Sequence, residues 1–407
     1  MAKSTRRAPG EGGVYPYETK TMGTMYYYKC QIPDPATGGM KPDVKRGFKN
    51  KTEALKAMRE VLAAVDKGTY VEPSKVTLGV YLNEWVDGLR KKPNTITKYR
   101  KTVRLHINPY LGSVPLASLT GPKLAAFYRR LEAEGRKDGQ SGGLKASSVR
   151  FVHAMLHSAL AEAVRAGLLV SNPANADKSN PPTAAEAKAP EMQTWTAEEL
   201  SRFLAWSKQV NDSNYVLWFV AASTGCRRGE LAALRWKDID LDHGRISVRR
   251  TVIEIKERGK VRERREDTPK SHVSRVIDID PGTAATLKAW RKQRGEISLA
   301  LRAPDTLVFA GPGGDLRSLS PISAMWRSAV RRFNLTHQGA ELPRIRLHDV
   351  RHTHASLLLA KGTPIKVVSE RLGHSSITIT LQCYVHVIPS MQKAAAETWG
   401  ALIADAA

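Results

Sequence analysis

The chain has 407 residues, with 64 Lys and Arg against 39 Asp and Glu, a formal net charge of +25 at pH 7. An apolar content of 42% excludes general disorder, and no stretch reaches the roughly 18 apolar residues that would cross a membrane. Three scattered cysteines, Cys30, Cys226 and Cys383, exclude a disulfide framework and a Cys/His zinc site, and fit a reducing cytoplasm. The excess charge is spread out: +6 over residues 1–75, +9 over 76–180 and +10 over the remainder. A polyanion, nucleic acid being the commonest, is therefore expected to run along the whole molecule.

Residues 1–13, MAKSTRRAPGEGG, are basic and lack the apolar core of a secretory signal, so they read as a flexible arm. Residues 14–75 begin as short strands. The run Thr24–Ile32 is aromatic-rich, Pro33-Asp34-Pro35 and Thr37-Gly38-Gly39 supply turn chemistry, and Lys45–Phe48 reads as a third strand. A helix capped near Thr52 then carries Leu55, Met58, Leu62 and Val65 at helical spacing until Gly68. Arg6, Arg7, Lys29, Lys41, Lys45 and Arg46 are candidate phosphate contacts.

Residues 76–172 read as all-helical. One stripe is Leu78, Leu82, Trp85 and Leu89; a second helix, capped at Asn94-Thr95, carries Tyr99, Val103 and Ile107. Further stripes run through Leu116, Leu119, Leu124, Phe127 and Leu131, and through Val149, Val152, Leu156, Leu160 and Val164. These positions are core. Lys91, Lys92, Lys98, Arg100, Lys101 and Arg104 cluster on the second helix and its approach; a solvated face is the plain alternative, and the charge total favours DNA contact. Residues 173–194, rich in Pro, Ala and Asn, read as a linker, and Thr196–Glu199 forms a capping box that opens a domain over 195–390.

In that domain two apolar helices lead into Thr224-Gly225, and a short helix follows from Arg227 to Leu234, its N-terminus suited to an anion. Strand-like alternation covers Ile246, Val248 and Thr251, the charged run to Asp267, and Arg275–Ile279. Helices from Thr283 and Ser320 frame an expected strand at Thr306–Ala310. The stretch Leu347–Val387 then concentrates chemistry. His348 and Arg351 stand three apart, on one helix face; His374 follows Leu372-Gly373, and Tyr384 comes ten residues later. A guanidinium fork, two imidazoles and a phenol suit phosphoryl transfer, with the phenol as nucleophile and the others on phosphate oxygens. A lone tyrosine on such a helix is more often a packed aromatic, and His352 and His354 show that histidine is locally common. Order and company decide between these readings.

His348-x-x-Arg351, then Leu-Gly-His374, then Tyr384, preceded by Thr224-Gly225-Cys226-Arg227-Arg228-Gly229-Glu230-Leu231, resembles the signature of tyrosine recombinases, the phage integrase family. The resemblance covers nearly the whole chain after the first dozen residues. It implies a multidomain, mainly α protein with small β-sheets: an α+β arm-binding domain at 14–75, an all-α core-binding domain at 76–172 and an α+β catalytic domain at 195–390. The tail, 391–407, carries Met391, Ala394, Ala395, Trp399, Leu402 and Ile403 and is expected to dock as a helix on a neighbouring protomer. In the family a hairpin lysine precedes a strand opening with Ser-Arg. Lys270, before Ser274-Arg275, matches it, with Lys256 and Lys260 as rivals.

The implied catalytic set is Arg227, Lys270, His348, Arg351, His374 and Tyr384, with Glu230 positioning Arg227. Both arginines and both histidines would hold the scissile phosphate, His348 would also take the phenol proton, and Lys270 would protonate the leaving 5′ oxygen. Energy is kept in a 3′-phosphotyrosine ester, so neither metal, ATP nor other cofactor is implied. The expected partners are double-stranded attachment-site DNA, three further copies in a tetramer, and an excisionase or host DNA-bending protein. Tyr384-Val-His-Val-Ile-Pro points to the phage and integrative-element branch; Cys226, where a larger apolar residue is usual, departs from the pattern. A chromosome-dimer resolvase is the runner-up, countered by the extra N-terminal domain. A catalytically dead DNA-binding regulator is countered by the complete residue set, and a topoisomerase IB-like relaxing enzyme would act without sequence preference.

Overall fold

A computed structural model describes residues 12–34, 37–67, 70, 75–188, 192–257, 260–268, 274–311, 313–384, 396–397, 399–400 and 403–404. The chain divides into two compact units, 1–189 and 190–407.

The first unit opens with an antiparallel sheet, β1 (Gly13–Thr19), β2 (Gly23–Pro33) and β3 (Met40–Phe48), in that order. Period-two alternation turns Tyr28, Cys30 and Ile32 onto Met58 of helix α1 (Lys51–Asp66). Asn50 caps α1 by accepting from Glu53 N at 2.8 Å, two residues before the expected cap. The third strand is longer than Lys45–Phe48 because Met40–Val44 also pair with β2. Lys45 and Arg46 are exposed, and the Arg46 guanidinium lies over the rings of Tyr17 and Tyr27 at 5.7 and 5.4 Å.

The helical part runs α2 (Leu78–Gly88), α3 (Pro93–Thr102), a π turn at Val103–Ile107, α4 (Asn108–Leu111), α5 (Gly121–Glu134) and α6 (Ala146–Arg165). On α2 the buried positions are Leu78, Gly79, Tyr81, Leu82 and Val86; Leu89 falls past the helix end, and Trp85 stacks on Tyr99 at 5.7 Å. Pro93 rather than Asn94 begins α3, its missing N–H costing nothing in the first turn. Lys91, Lys92, Lys98, Arg100, Lys101 and Arg104 are all exposed on α3 and its flanks. Arg100 pairs with Asp87 at 2.8 Å, and the Lys98 ammonium lies 3.6 Å over the Phe151 ring.

The expected linker begins later than residue 173. Asn172 Nδ2 donates to His157 O at 3.0 Å while its Oδ1 accepts from Ala174 N at 2.9 Å. Helix α7 (Ala176–Ser179) buries Ser179 completely, and Arg150 Nη1 donates to Pro182 O at 2.8 Å. This packing rests on side chain to backbone hydrogen bonds, which leave no apolar period to read. It also explains Gly121: a Cβ there would lie 2.2 Å from Lys178 O. Gly121→Ala is expected to lower stability by about 1–3 kcal/mol through overpacking, measured as a shift in the urea midpoint of the helical unit.

The second unit starts with Trp195, buried beneath α8 (Ala197–Gln209), whose Thr196–Glu199 capping box is formed. There follow α9 (Tyr215–Thr224), α10 (Arg228–Ala232), β4 (Ile239–Asp240), β5 (Arg245–Val248), β6 (Thr251–Glu257), β7 (Lys260–Asp267) and β8 (Arg275–Asp278). The chain closes with α11 (Pro281–Ile297), α12 (Leu319–Thr336), α13 (Leu347–Ala360), α14 (Ile365–Leu372) and α15 (Ile377–Tyr384). One small antiparallel sheet has the order β4-β5-β8, and β6 and β7 form a separate hairpin. Trp195, Phe203, Trp218, Trp326 and Phe333 fill the core around α8, α9 and α12.

Thr306–Ala310 does not form the expected strand. Leu307 makes one isolated bridge to Arg235, while Trp236 N donates to Thr306 O and Val308 N to Leu234 O. The apolar run is buried against the segment after α10, with no strand beside it to extend a ladder. In the tail, 396–397, 399–400 and 403–404 are helical, with Trp399 and Ile403 exposed. Met391, Ala394, Ala395 and Leu402, on which the expected docking also depends, lie outside the described residues.

Candidate active site

Helix α9 ends at Gly225 with φ +63°, where a Cβ would lie 2.8 Å from the His354 ring. Only glycine fits both the left-handed turn and the close approach. This turn delivers Arg227 as the residue that opens α10. Its backbone N–H donates to Glu230 Oε2 at 2.9 Å, its Nη1 to Glu230 Oε1 at 2.9 Å, and its Nη2 to Gly373 O at 3.3 Å. Glu230 is buried and held a second time by Arg275, with Nη2 to Oε2 at 2.7 Å and Nη1 to Oε1 at 3.1 Å. Arg275 Nε in turn donates to Arg371 O at 2.8 Å.

Arg351 comes from α13 and is 3% exposed. Its Nη1 donates to Gly225 O at 2.8 Å and its Nη2 to Leu372 O at 2.5 Å, so it ties the ends of α9 and α14 together. His374, just after α14, pairs through Nδ1 with Thr380 Oγ1 at 2.7 Å. Tyr384 ends α15 with 1% exposure, its ring packed with Ala355, Leu359, Val368 and Leu372. Its hydroxyl lies 2.6 Å from His352 Nδ1. His348, one turn before His352 on α13, meets that ring edge-on at 5.2 Å between centroids. A cleft of about 620 Å³ opens beside these groups, lined by Arg227, Arg228, Arg327, Arg346 and His348 among others.

The electrostatics follow from burial and crowding. Burial alone would raise the Glu230 pKa, yet its bonds to Arg275, and then the charge of Arg227, hold it at about 2. Burial, then the Arg227 charge, lowers Arg351 to about 10, so it remains a cation at neutral pH. Burial, followed by the His352 ring for His348 and by Arg351 for His374, draws both imidazoles down to about 4, so both are neutral at pH 7. Burial raises the Tyr384 phenol well above its ordinary value, with Arg351 opposing. Two guanidiniums, those of Arg227 and Arg275, pair with one buried carboxylate, and Arg351 adds a third positive charge close by. The surplus positive charge is what an anionic phosphate would neutralise.

The structure gathers Arg227, Glu230, His348, Arg351, His374 and Tyr384 in one constellation. Lys270 lies outside the described residues; of its rivals Lys256 and Lys260 only the backbone, in β6 and β7, is described. Two residues that join this constellation were not among the expected site residues: His352, beside Tyr384, and Arg275, on Glu230. His352 carries a local signal, since it stands one turn from His348 on the same helix face. Arg275 carries none, because its partner Glu230 is 45 positions away. No cluster of His, Cys, Asp and Glu able to hold a metal occurs among the described residues.

Three family models match the chain in succession: an arm DNA-binding domain over 15–65, the N-terminal SAM-like domain of phage integrases over 77–131, and the phage integrase family over 193–391. The chain belongs to the phage integrase family of tyrosine recombinases. This recombinase is 29% identical over 366 residues to a XerC-like tyrosine recombinase of Caldanaerobacter subterraneus subsp. tengcongensis, covering 86% of this chain and 89% of that one. It is 29% identical over 310 residues to the ICEBs1 integrase of Bacillus subtilis, covering 75% and 77%. Its fold is that of the Tn1549 transposon integrase solved with circular intermediate DNA, with a TM-score of 0.66, 20% identity and coverage of 79% and 99%. The lambda integrase dimer bound to a COC′ core site matches with a TM-score of 0.52 and 19% identity, over 94% and 96% of the two chains. The multidomain architecture of this recombinase, with arm-binding, helical and catalytic parts, is thereby settled.

Proposed function

We propose that the protein is a site-specific integrase that cleaves and rejoins attachment-site DNA through a 3′-phosphotyrosine, inserting and excising a phage or integrative element. The observation that carries this reading is that Arg227 and Arg351 bond Gly373 O and Leu372 O at the end of α14, the Tyr384 phenol lies beside His352 under the influence of the Arg351 charge, and a cleft lined by Arg227 and His348 opens next to them. In the proposed chemistry the guanidiniums of Arg227 and Arg351 and the N–H groups of His348 and His374 hold the non-bridging oxygens as charge gathers on them. Tyr384 attacks phosphorus, the 5′ oxygen leaves with a proton from Lys270, and a partner strand's 5′ hydroxyl later reverses the step. The family match to an arm-binding domain favours an integrase over a dimer resolvase. Four copies on two duplexes, an excisionase or host DNA-bending protein as accessory, and a cytoplasmic location complete the reading.

The test is a nicked suicide substrate built on the junction of the element that carries this gene. A covalent adduct linked to the 3′ phosphate should form in EDTA; a strict need for magnesium would overturn the mechanism. Arg351→Lys replaces a planar fork with a point charge and strands two backbone carbonyls. It should slow single-turnover adduct formation by about 10²–10³-fold, the effect of losing one transition-state donor.

A further inference from the structure

We infer that His352 is the residue that exchanges a proton with Tyr384, accepting it as the phenolic oxygen attacks phosphorus and returning it as the DNA strand is resealed. The inference rests on the proposed strand-transfer function and replaces the role that the sequence reading gives to His348. At 2.6 Å, His352 Nδ1 is within direct proton-transfer distance of the Tyr384 hydroxyl. His348 stands one ring further out and lines the cleft with Arg227 and Arg346, where a phosphate oxygen would sit. The two imidazoles therefore divide the work: His348 faces the anion and His352 faces the nucleophile.

A phenol needs such a partner here. Tyr384 is buried among Ala355, Leu359, Val368 and Leu372, and His352 Nδ1 is the group that lies within hydrogen-bond distance of its hydroxyl. The charged and titratable groups around His352 are Arg346 at the cap of its helix, His348, Asp349 and Arg351 on that helix, His374 beyond α14, and Tyr384 on α15. Burial keeps the His352 pKa below its ordinary value, Asp349 opposes the shift, and the ring is neutral and able to accept at pH 7. The Nδ1 lone pair takes the proton when the tautomer carries its hydrogen on Nε2.

The step balances without an outside reagent. The Oη–H bond breaks and its proton moves to His352 Nδ1. The Oη–P bond forms, the P–O5′ bond breaks, and the 5′ oxygen takes a proton from the Lys270 ammonium. Resealing runs backwards: the attacking 5′ hydroxyl returns its proton to Lys270, P–Oη breaks, and His352 reprotonates the phenolate.

The test is single-turnover adduct formation on the suicide substrate by His352→Asn and His352→Ala, from about pH 5 to 9. Asn places an amide near the Nδ1 position, so it can keep the hydrogen bond to the phenol but cannot take its proton. Both variants should cleave about 10²–10⁴-fold more slowly, the usual worth of a general base, with DNA affinity retained in gel shifts. The acidic limb of the wild-type pH profile should vanish in His352→Asn and survive in His348→Asn. A substrate with sulfur in the bridging 5′ position, whose leaving group needs no proton, should rescue Lys270→Ala and leave His352→Asn slow. A His352→Asn variant that cleaves at the wild-type rate, or is rescued by the sulfur substrate, would overturn the assignment. So would loss of the acidic limb in His348→Asn alone. Absence of any adduct from the unaltered protein would instead remove the recombinase reading itself.

Discussion

Tyr384→Phe should bind attachment-site DNA as the unaltered protein does and form no covalent adduct with it, by denaturing gel and by mass spectrometry of the trapped complex. The substitution removes one oxygen and nothing else. The ring keeps its place among Ala355, Leu359, Val368 and Leu372, so the small core of α13, α14 and α15 stays filled. The lost bond to His352 is a single hydrogen bond at 2.6 Å, which limits the change in stability to about 0.5–1.5 kcal/mol. Activity and stability are thus separated as far as one substitution allows. An adduct that persisted at full yield would place the nucleophile on another residue and dismantle the mechanism.

Glu230→Ala should have the largest effect on folding, about 3–5 kcal/mol, read as a drop in the urea midpoint of the catalytic unit. The Glu230 side chain is 1% exposed and the Arg275 side chain it faces is 7% exposed. Removing the carboxylate leaves Arg275 as a buried cation with no counter-charge, near Arg227 and Arg351. The opening of α10 also loses the bonds from Arg227 N and Nη1 to Glu230, which leaves the Arg227 guanidinium held by Gly373 O. Acid provides a second measurement of the same carboxylate. Its folded pKa, about 2, lies below the ordinary value of 4.5, so its stabilising contribution is complete above pH 4.5 and lost as pH falls towards 2. The stabilities of wild type and Glu230→Ala should therefore converge through that window, and a constant gap between them would assign the cost to packing alone.

The candidate site residues were legible because each carries its chemistry in its type and stands at a local spacing. His348 and Arg351 share a helix turn, Gly373 and Gly225 announce helix ends, and Thr196–Glu199 announces a helix start. Where the readings failed, the structural signal was not periodic. The start of the expected linker, residues 173–182, looked unstructured because Asn172 and Ser179 pack by satisfying backbone groups, with no apolar stripe. Thr306–Ala310 looked like a strand because it is apolar, yet burial alone does not supply a neighbouring ladder.

The amino-acid sequence by itself determined the family and the order of its arm-binding, helical and catalytic parts, and it singled out Tyr384, Arg227 and Arg351 as candidates, since these depend on residue identity and on spacings of a few positions. The tertiary structure alone decided which groups hold which. Arg351 reaches Gly225 across 126 positions, Arg227 reaches Gly373 across 146, and Arg275 reaches Glu230 across 45. Hydrogen bonds between such distant residues form only when separate helices end at the same point, and they leave no trace in local order. The same holds for the imidazole beside the phenol: His352 and Tyr384 are 32 positions apart, and it took the packing of α15 on α13 to join them.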